Sequence, residues 1–500
     1  MHEPAPTTVV AFPPGRSRRR KRWLLAAIPL CLVLSAVAVS FYGLFSSSHQ
    51  LQEAIAEADR LDPGWRQAEL EAKRAVIPDA QNSGTHIINA RRLLPPQWPY
   101  WDFSGSKLAE SQPEEQIAEL QEMSKTLEPQ VQLSARQTSS LRAELQRARA
   151  QAALTEIYQV ADKAHGRCPI IYGKDGISTL TPHTPEAREL ANLLAYDSML
   201  RAQDKDLDGA LKTCKCILHC GRAIGDEPTL ISMLVRIALH RVALEKLERS
   251  LAQGAAMQRS LDNLQQLLEE DANEPLFLIG ARGQRAMEDA CLAAIQNGDL
   301  PLRSVQGLAK SAVGKDNVDA RYELRLRISP GAVQSDRAAL LHFNNQIVEI
   351  AKRPLEDQLA SLKETQARVK DLPRVSGLLT PDWPKLYEAF RRDAALLRCG
   401  CVMLALERYR MTEREWPAQL TDLVPAYLST VPVDPYDGAP LRFRRTKDGV
   451  IIYSIGADEQ DNGGNIDNSS NSPGTDRGFR LWDVPKRRQP PKPREPILKE

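Results

Sequence analysis

A block of basic residues set against a long apolar run divides this chain before any other element is considered. Arg16, Arg18, Arg19, Arg20, Lys21 and Arg22 stand directly before Trp23 to Phe45, a stretch without a charged residue. At a rise of about 1.5 Å per residue, a helix over that stretch crosses a hydrocarbon core of roughly 30 Å. The next charged residue is Glu53. The positive bias therefore predicts a cytoplasmic N-terminus and puts everything after Ser46 on the far side. Ala36-Val37-Ala38 matches a small-x-small cleavage pattern, but the apolar run continues well past it. A signal h-region spans roughly 7 to 15 residues, so an uncleaved single-pass anchor at 23–45 is expected.

The remainder reads as mainly α. Hydrophobic residues make up 42% of the 500 and aromatics 5%, with Leu, Ala, Arg, Glu and Gln abundant, a composition that favours helices. Two or three domains are expected at this length. Residues 1–22, Pro-rich and then basic, read as a disordered cytoplasmic tail. Residues 50–380 read as a helical domain, either a bundle or an irregular helical repeat. Helices are expected over Gln50 to Arg60, then after the Asp62-Pro63-Gly64 break, and from Glu114 to Ala164 with an interruption at Pro129. They continue over Pro185 to Ala202, Leu207 to Ala223, Thr229 to Ala252, Met257 to Glu270, Pro275 to Asn297 and Ser335 to Leu372. The aromatic connector of Pro95 to Trp101 reads as a plug between helical layers. Arg321 to Ile328 alternates charged and apolar residues as one strand or a loop.

Few residues point to chemistry. With 66 basic and 64 acidic residues the formal charge is +2, too even for nucleic-acid binding. The sequence has no HExxH, no phosphate-cradling GxxxxGK[ST], no GxGxxG after a strand and no GxSxG. Ser104 and Lys107 satisfy S-x-x-K without its partner motifs. Eight irregularly spaced cysteines, one of them Cys31 in the apolar run, do not make a disulfide framework. Cys214, Cys216, His219 and Cys220 have the composition of a metal site. On a helix only Cys216 and Cys220 share a face, so buried thiols are expected instead. Cys399 and Cys401, two apart on a helix, point in different directions and are not expected to bond.

Near the end, a helix closing on Tyr409 is followed by Trp416-Pro417, a Leu-rich short helix, Asp434-Pro435-Tyr436, Gly438 and Pro440. Leu441, Phe443 and Arg445 alternate with Arg442 and Arg444, and Lys447-Asp448-Gly449 turns the chain into a second strand. Tyr453 to Asp458 then leads into a Gly-rich acidic loop. This ordered series, over about 385–483, resembles the globular domain of the type II secretion major pseudopilin. The resemblance implies a small α+β module at 381–483. It also implies a calcium loop, with Asp458 and Gly463-Gly464 matching the family pattern and Asp476 matching the Asp before the terminal Trp. Asp458, Asp461, Asp467 and Asp476 are the expected oxygen ligands of Ca2+, which takes six to eight in an adaptable shell. A solvated flexible loop is the competing reading, because Glu459 replaces a family glycine and NIDNSSNS interrupts the segment. The family's leader and its early Glu in the apolar helix are missing, so polymerisation through the span is not expected. Residues 484–500 read as a disordered Pro/Lys-rich tail.

The chain is thus expected to be a bacterial inner-membrane protein, single pass, with its bulk in the periplasm. Its expected role is non-enzymatic binding or scaffolding of an unknown envelope protein. An accessory component of a type II secretion or pilus-like machine is a second reading, and a hydrolase whose site is assembled from distant residues is a third.

Overall fold

The computed structural model describes residues 34–35, 42–94, 98, 127–301, 304, 330–468 and 472–491. The tail 1–22, most of the expected span, the connector apart from Trp98, the S-x-x-K pair, Glu114 to 126 and the Arg321 to Ile328 alternation lie outside them. So do residues 492–500. No helix among the described residues is long and apolar enough to cross a membrane.

The protein is mainly helical, with one small antiparallel sheet near its C-terminus. Its helices are α1 (residues 42–61), α2 (Gln67–Lys73), α3 (Ser83–Leu93), α4 (Ala135–Leu145) and α5 (Ala148–Ile157). They continue as α6 (His183–Gln203), α7 (Leu207–Ile224), α8 (Leu230–Gln253), α9 (Gln258–Ala272) and α10 (Leu276–Asn297). The last four are α11 (Pro330–Ala351), α12 (Leu355–Ala367), α13 (Arg374–Leu379) and α14 (Trp383–Glu413). Their starts follow from capping chemistry. Side chains of Asn82, Ser134, Asp206, Thr229 and Asp382 each accept a hydrogen bond from a first-turn N–H. The single helical stretch expected over Ser335 to Leu372 is two helices. Pro354 has no N–H to continue α11 and instead stands at the start of α12.

The centre of the molecule is α14. From Asp393 to Glu407 every residue except Arg398 is buried, the condition of a helix wrapped on all sides. It packs on α8, α9 and α12, and on two strands of the sheet. Gly400 permits one of these approaches, since a Cβ there would sit 2.5 Å from Leu244 Cδ2. The apolar core runs from Ile87 in α3 to Leu481 in the sheet without a break. The expected helical domain and terminal module therefore share one core.

The sheet has the order β1 (Arg442–Thr446), β2 (Gly449–Ser454), β3 (Arg477–Trp482), all antiparallel. Thr446 pairs with Gly449, so the expected turn is made by Lys447 and Asp448 and Gly449 already belongs to β2. Asp434 of the Asp-Pro-Tyr match is fully buried and ties its loop to the end of β2. It accepts hydrogen bonds from Tyr436 N, Ser454 Oγ and Ile455 N at 3.0, 2.8 and 2.9 Å.

Where the chain is expected to leave the fold, it stays attached. Val484–Lys486 forms a 3-10 turn. Arg487 then reaches the buried Glu407 with two hydrogen bonds of 2.8 and 2.7 Å. Burial would raise the Glu407 carboxyl, but the hydrogen bonds of Arg410 and Arg487 hold it below its ordinary value. Composition alone misses this pairing, because a buried carboxylate far back in the chain decides where Arg487 goes.

Candidate functional site

The turns α9–α10 and α11–α12 meet the side of α14 around a cavity of about 310 Å³. Phe277, Phe390, Leu355 and Leu397 supply apolar wall, and Asp271 and Asp393 supply acid. His240 of α8, fully buried, lies beside both acids. Its Nδ1 is 3.0 Å from Asp393 Oδ2 and its Nε2 is 3.9 Å from Asp271 Oδ2. Burial by itself would lower this imidazole's pKa, yet the Asp393 carboxylate, with Asp271 beyond it, raises it above the ordinary value.

Arginines complete the arrangement. Arg222 donates to Asp271 at 2.8 Å, to Glu270 at 2.9 Å and to the Leu267 carbonyl at 3.0 Å, closing the end of α9. Arg236 pairs with Glu274 at 2.6 Å. Burial would raise the Glu274 carboxyl, but Arg236 holds it low. Acids and bases thus neutralise one another across α7, α8, α9 and α14. A His–Asp pair serving as general base needs its second nitrogen open to a substrate proton. Here that nitrogen is buried, 3.9 Å from Asp271 Oδ2, and the set joins four helices. The sequence gives no local sign of the set, since His240 and Asp393 are 153 positions apart.

The cysteine and histidine cluster of α7 is buried throughout, and its thiols are free. His219 Nδ1 lies 2.6 Å from the Val160 carbonyl, and burial pushes its pKa down to about 4. Burial pushes the Cys214 and Cys216 thiols up to about 12. Cys399 and Cys401 are buried and unbonded to each other.

In the acidic loop the structure brings Asp458, Asp461 and Asp476 together around Asn462 to Gly464. Asp476, fully buried, accepts from Asn462 N at 3.2 Å and Gly464 N at 2.7 Å. Asp458 accepts from Asn462 Nδ2 at 3.1 Å and Gly474 N at 2.7 Å. Asp461 accepts from Gly463 N at 2.8 Å and the Tyr453 hydroxyl at 3.1 Å. Asp467 takes part through its backbone, its N–H donating to the Asp476 carbonyl at 3.1 Å. Burial, helped by the neighbouring Asp461 charge, raises the Asp476 carboxyl. Gly463 and Gly464 take φ of +68° and +78°, the left-handed region that glycine enters without cost. Glu459, where the family pattern has glycine, takes φ +56° and pairs with the buried Arg391 at 3.1 Å.

A cation beside Asp461 and Asp476 would relieve their mutual repulsion, and in that respect the donors fit. Among the described residues, no group of three or more His, Cys, Asp or Glu side chains is placed to hold a metal ion. Backbone carbonyls would have to complete a shell. Comparison of the chain with protein-family models, with curated proteins and with solved structures returns no match.

Proposed function

We propose that this chain is a non-enzymatic, single-pass protein of the bacterial envelope that binds or scaffolds a partner through its helical body. The observation that carries this reading is a pinned apolar arm. Ile171 and Leu180 bond to each other backbone to backbone at 3.0 and 2.9 Å, and their side chains are 57% and 58% exposed. Arg167 and Tyr172 hold the arm to Glu71 of α2 at 2.6 and 2.7 Å. Isolated exposed apolar side chains are common on protein surfaces; the support here is that these two are paired and held in place beside α2, where a partner of the helical body would meet them. A photo-crosslinking residue at Ile171, in full-length protein in intact membranes, is expected to give one adduct of defined mass. No adduct at 171 overturns the reading.

The accessory-component reading draws support from the C-terminal unit. A long helix, the Asp434 bracket, three antiparallel strands and an acidic loop before the last strand are compatible with a pseudopilin-like module. The burial of α14 within its own chain argues against polymerisation through that helix. Secretion-system subunits in the 171 adduct favour this second reading. The hydrolase reading gains nothing from the cavity, where His240 Nε2 lies beside Asp271.

We also propose that the acidic loop binds calcium by drawing Asp458, Asp461 and Asp476 inward, since among the described residues no three acidic side chains are placed to hold the ion, while Asp467 is tied through its backbone to Asp476. Calcium is expected to raise the melting temperature of the parent protein, and Asp458→Ala to abolish the rise. No rise in the parent sinks the site.

A further inference from the structure

Helix α1 leaves one face uncovered at its N-terminal end. Its inward stripe of Ser47, Leu51, Ala54 and Ala58 begins at residue 47, whereas Tyr42 and Phe45 are 74% and 69% exposed. Three residues apart, these two aromatics share a face of the helix. On another face, level with them and one turn on, α1 is clamped. A Cβ on Gly331, in the first turn of α11, would lie 2.6 Å from Ser47 Oγ and 3.2 Å from Leu44 Cα. The two helices therefore touch where the apolar run of the sequence ends. Phe45 and Leu51, the first side chain of the α1–α11 cluster, are six residues apart, about 9 Å along a helix. Residues 42–61 are one helix, which leaves no slack between that run and the body.

We propose that the N-terminal end of α1 meets the bilayer, that Tyr42 and Phe45 lie in the lipid headgroup layer, and that the α1–α11 end of the body rests on the membrane. This rests on the anchor reading given above. Amphipathic and aromatic rings concentrate at the membrane interface, where one end is apolar and the other wet. A lipid surface also accounts for two large exposed side chains next to a stripe that is otherwise fully covered. The orientation of the body follows from the clamp, because a rod held by α11 within about two turns of its emergence cannot swing freely.

The test uses full-length protein in vesicles of phosphatidylcholine and phosphatidylglycerol. An environment-sensitive fluorescent amino acid is placed singly at position 30, 45, 334 or 257, and the vesicles carry a quencher either deep in the acyl chains or at the headgroups. Deep quenching is expected at 30, headgroup quenching at 45 and 334, and neither at 257 on the α8–α9 connection. Quenching at 30 with none at 45 and 334 overturns the inference, leaves the anchor standing and makes Tyr42 and Phe45 contacts for a protein instead. Quenching at 257 equal to that at 334 overturns the orientation. No quenching at 30 overturns the anchor reading and the inference with it.

Discussion

Helix α1 and helix α14 are both held in the same body by different physics. Around α14 the contact is apolar and continuous from Ile87 to Leu481. Around α1 the apolar cluster is small and separate, made of Leu51, Ala54, Ala58, Trp65, Ala338 and Leu341. Charge supplements it. Asp62 receives Arg282 at 2.6 Å and the fully buried Arg285 at 2.5 Å, and Glu57 meets His342 at 2.6 Å and Asn345 at 3.0 Å. Burial would raise the Asp62 carboxyl, but the two arginines hold it below its ordinary value. The contrast teaches that α1 is docked by a few directional contacts, whereas α14 is enclosed by volume.

That contrast can be broken at Asp62. Asp62→Ala leaves Arg285 buried without its carboxylate, holding only Asn345 and the Trp65 ring, and is expected to cost about 4 kcal/mol in urea unfolding. Hydrogen exchange should rise in α1 and the facing turns of α10 and α11 while α14 stays protected. An equal rise along α14 would erase the distinction. The Asp62 contribution is present above the unfolded carboxylate pKa of 3.8 and is lost as pH falls through the lower folded value. Leu404→Ala, at the centre of α14, is expected to cost about 3 kcal/mol through a cavity. Exchange should then rise throughout the body, and a rise confined to α14 would show that the core is less continuous than described.

The smallest effect is expected from Asp393→Asn beside His240. The folded pKa of His240 is raised above 6.5. Its contribution is therefore complete below pH 6.5 and is lost as pH rises through the folded value. The variant should flatten that alkaline limb of stability against pH. An unchanged limb would remove His240 from the apolar centre's account.

Helix periodicity carried much of the fold. Thr229 caps α8 and Asp382 caps α14 because small polar side chains outcompete water for first-turn N–H groups, a signal local enough to read in sequence. The β1–β2 turn was legible for the same reason. The burial of the α7 thiols is legible because a helix turns Cys214 away from the face that Cys216 and Cys220 share. Contacts between distant segments were not legible. Nothing near Asp62 announces Arg285, and nothing near His240 announces Asp393. The acidic loop lies between: Asp458, Asp461 and Asp476 hydrogen-bond within it, Asp467 joins only through its backbone, and the bonds to Gly464 and Gly474 depend on how the loop folds back.

The bond between Arg487 and Glu407 has a consequence for how the molecule is made. Chains emerge from the ribosome N-terminus first, and domains tend to fold as their last required segment appears. Here α14 and β3, which complete a core begun at Ile87, come late, and the partner of buried Glu407 comes later still. Among the described residues, the face of α14 that β3 covers stays open until Leu481 is released, and Glu407 waits for Arg487 after that. The helices from α3 to α8 can pack on one another earlier, but the core they begin closes only with the last strand.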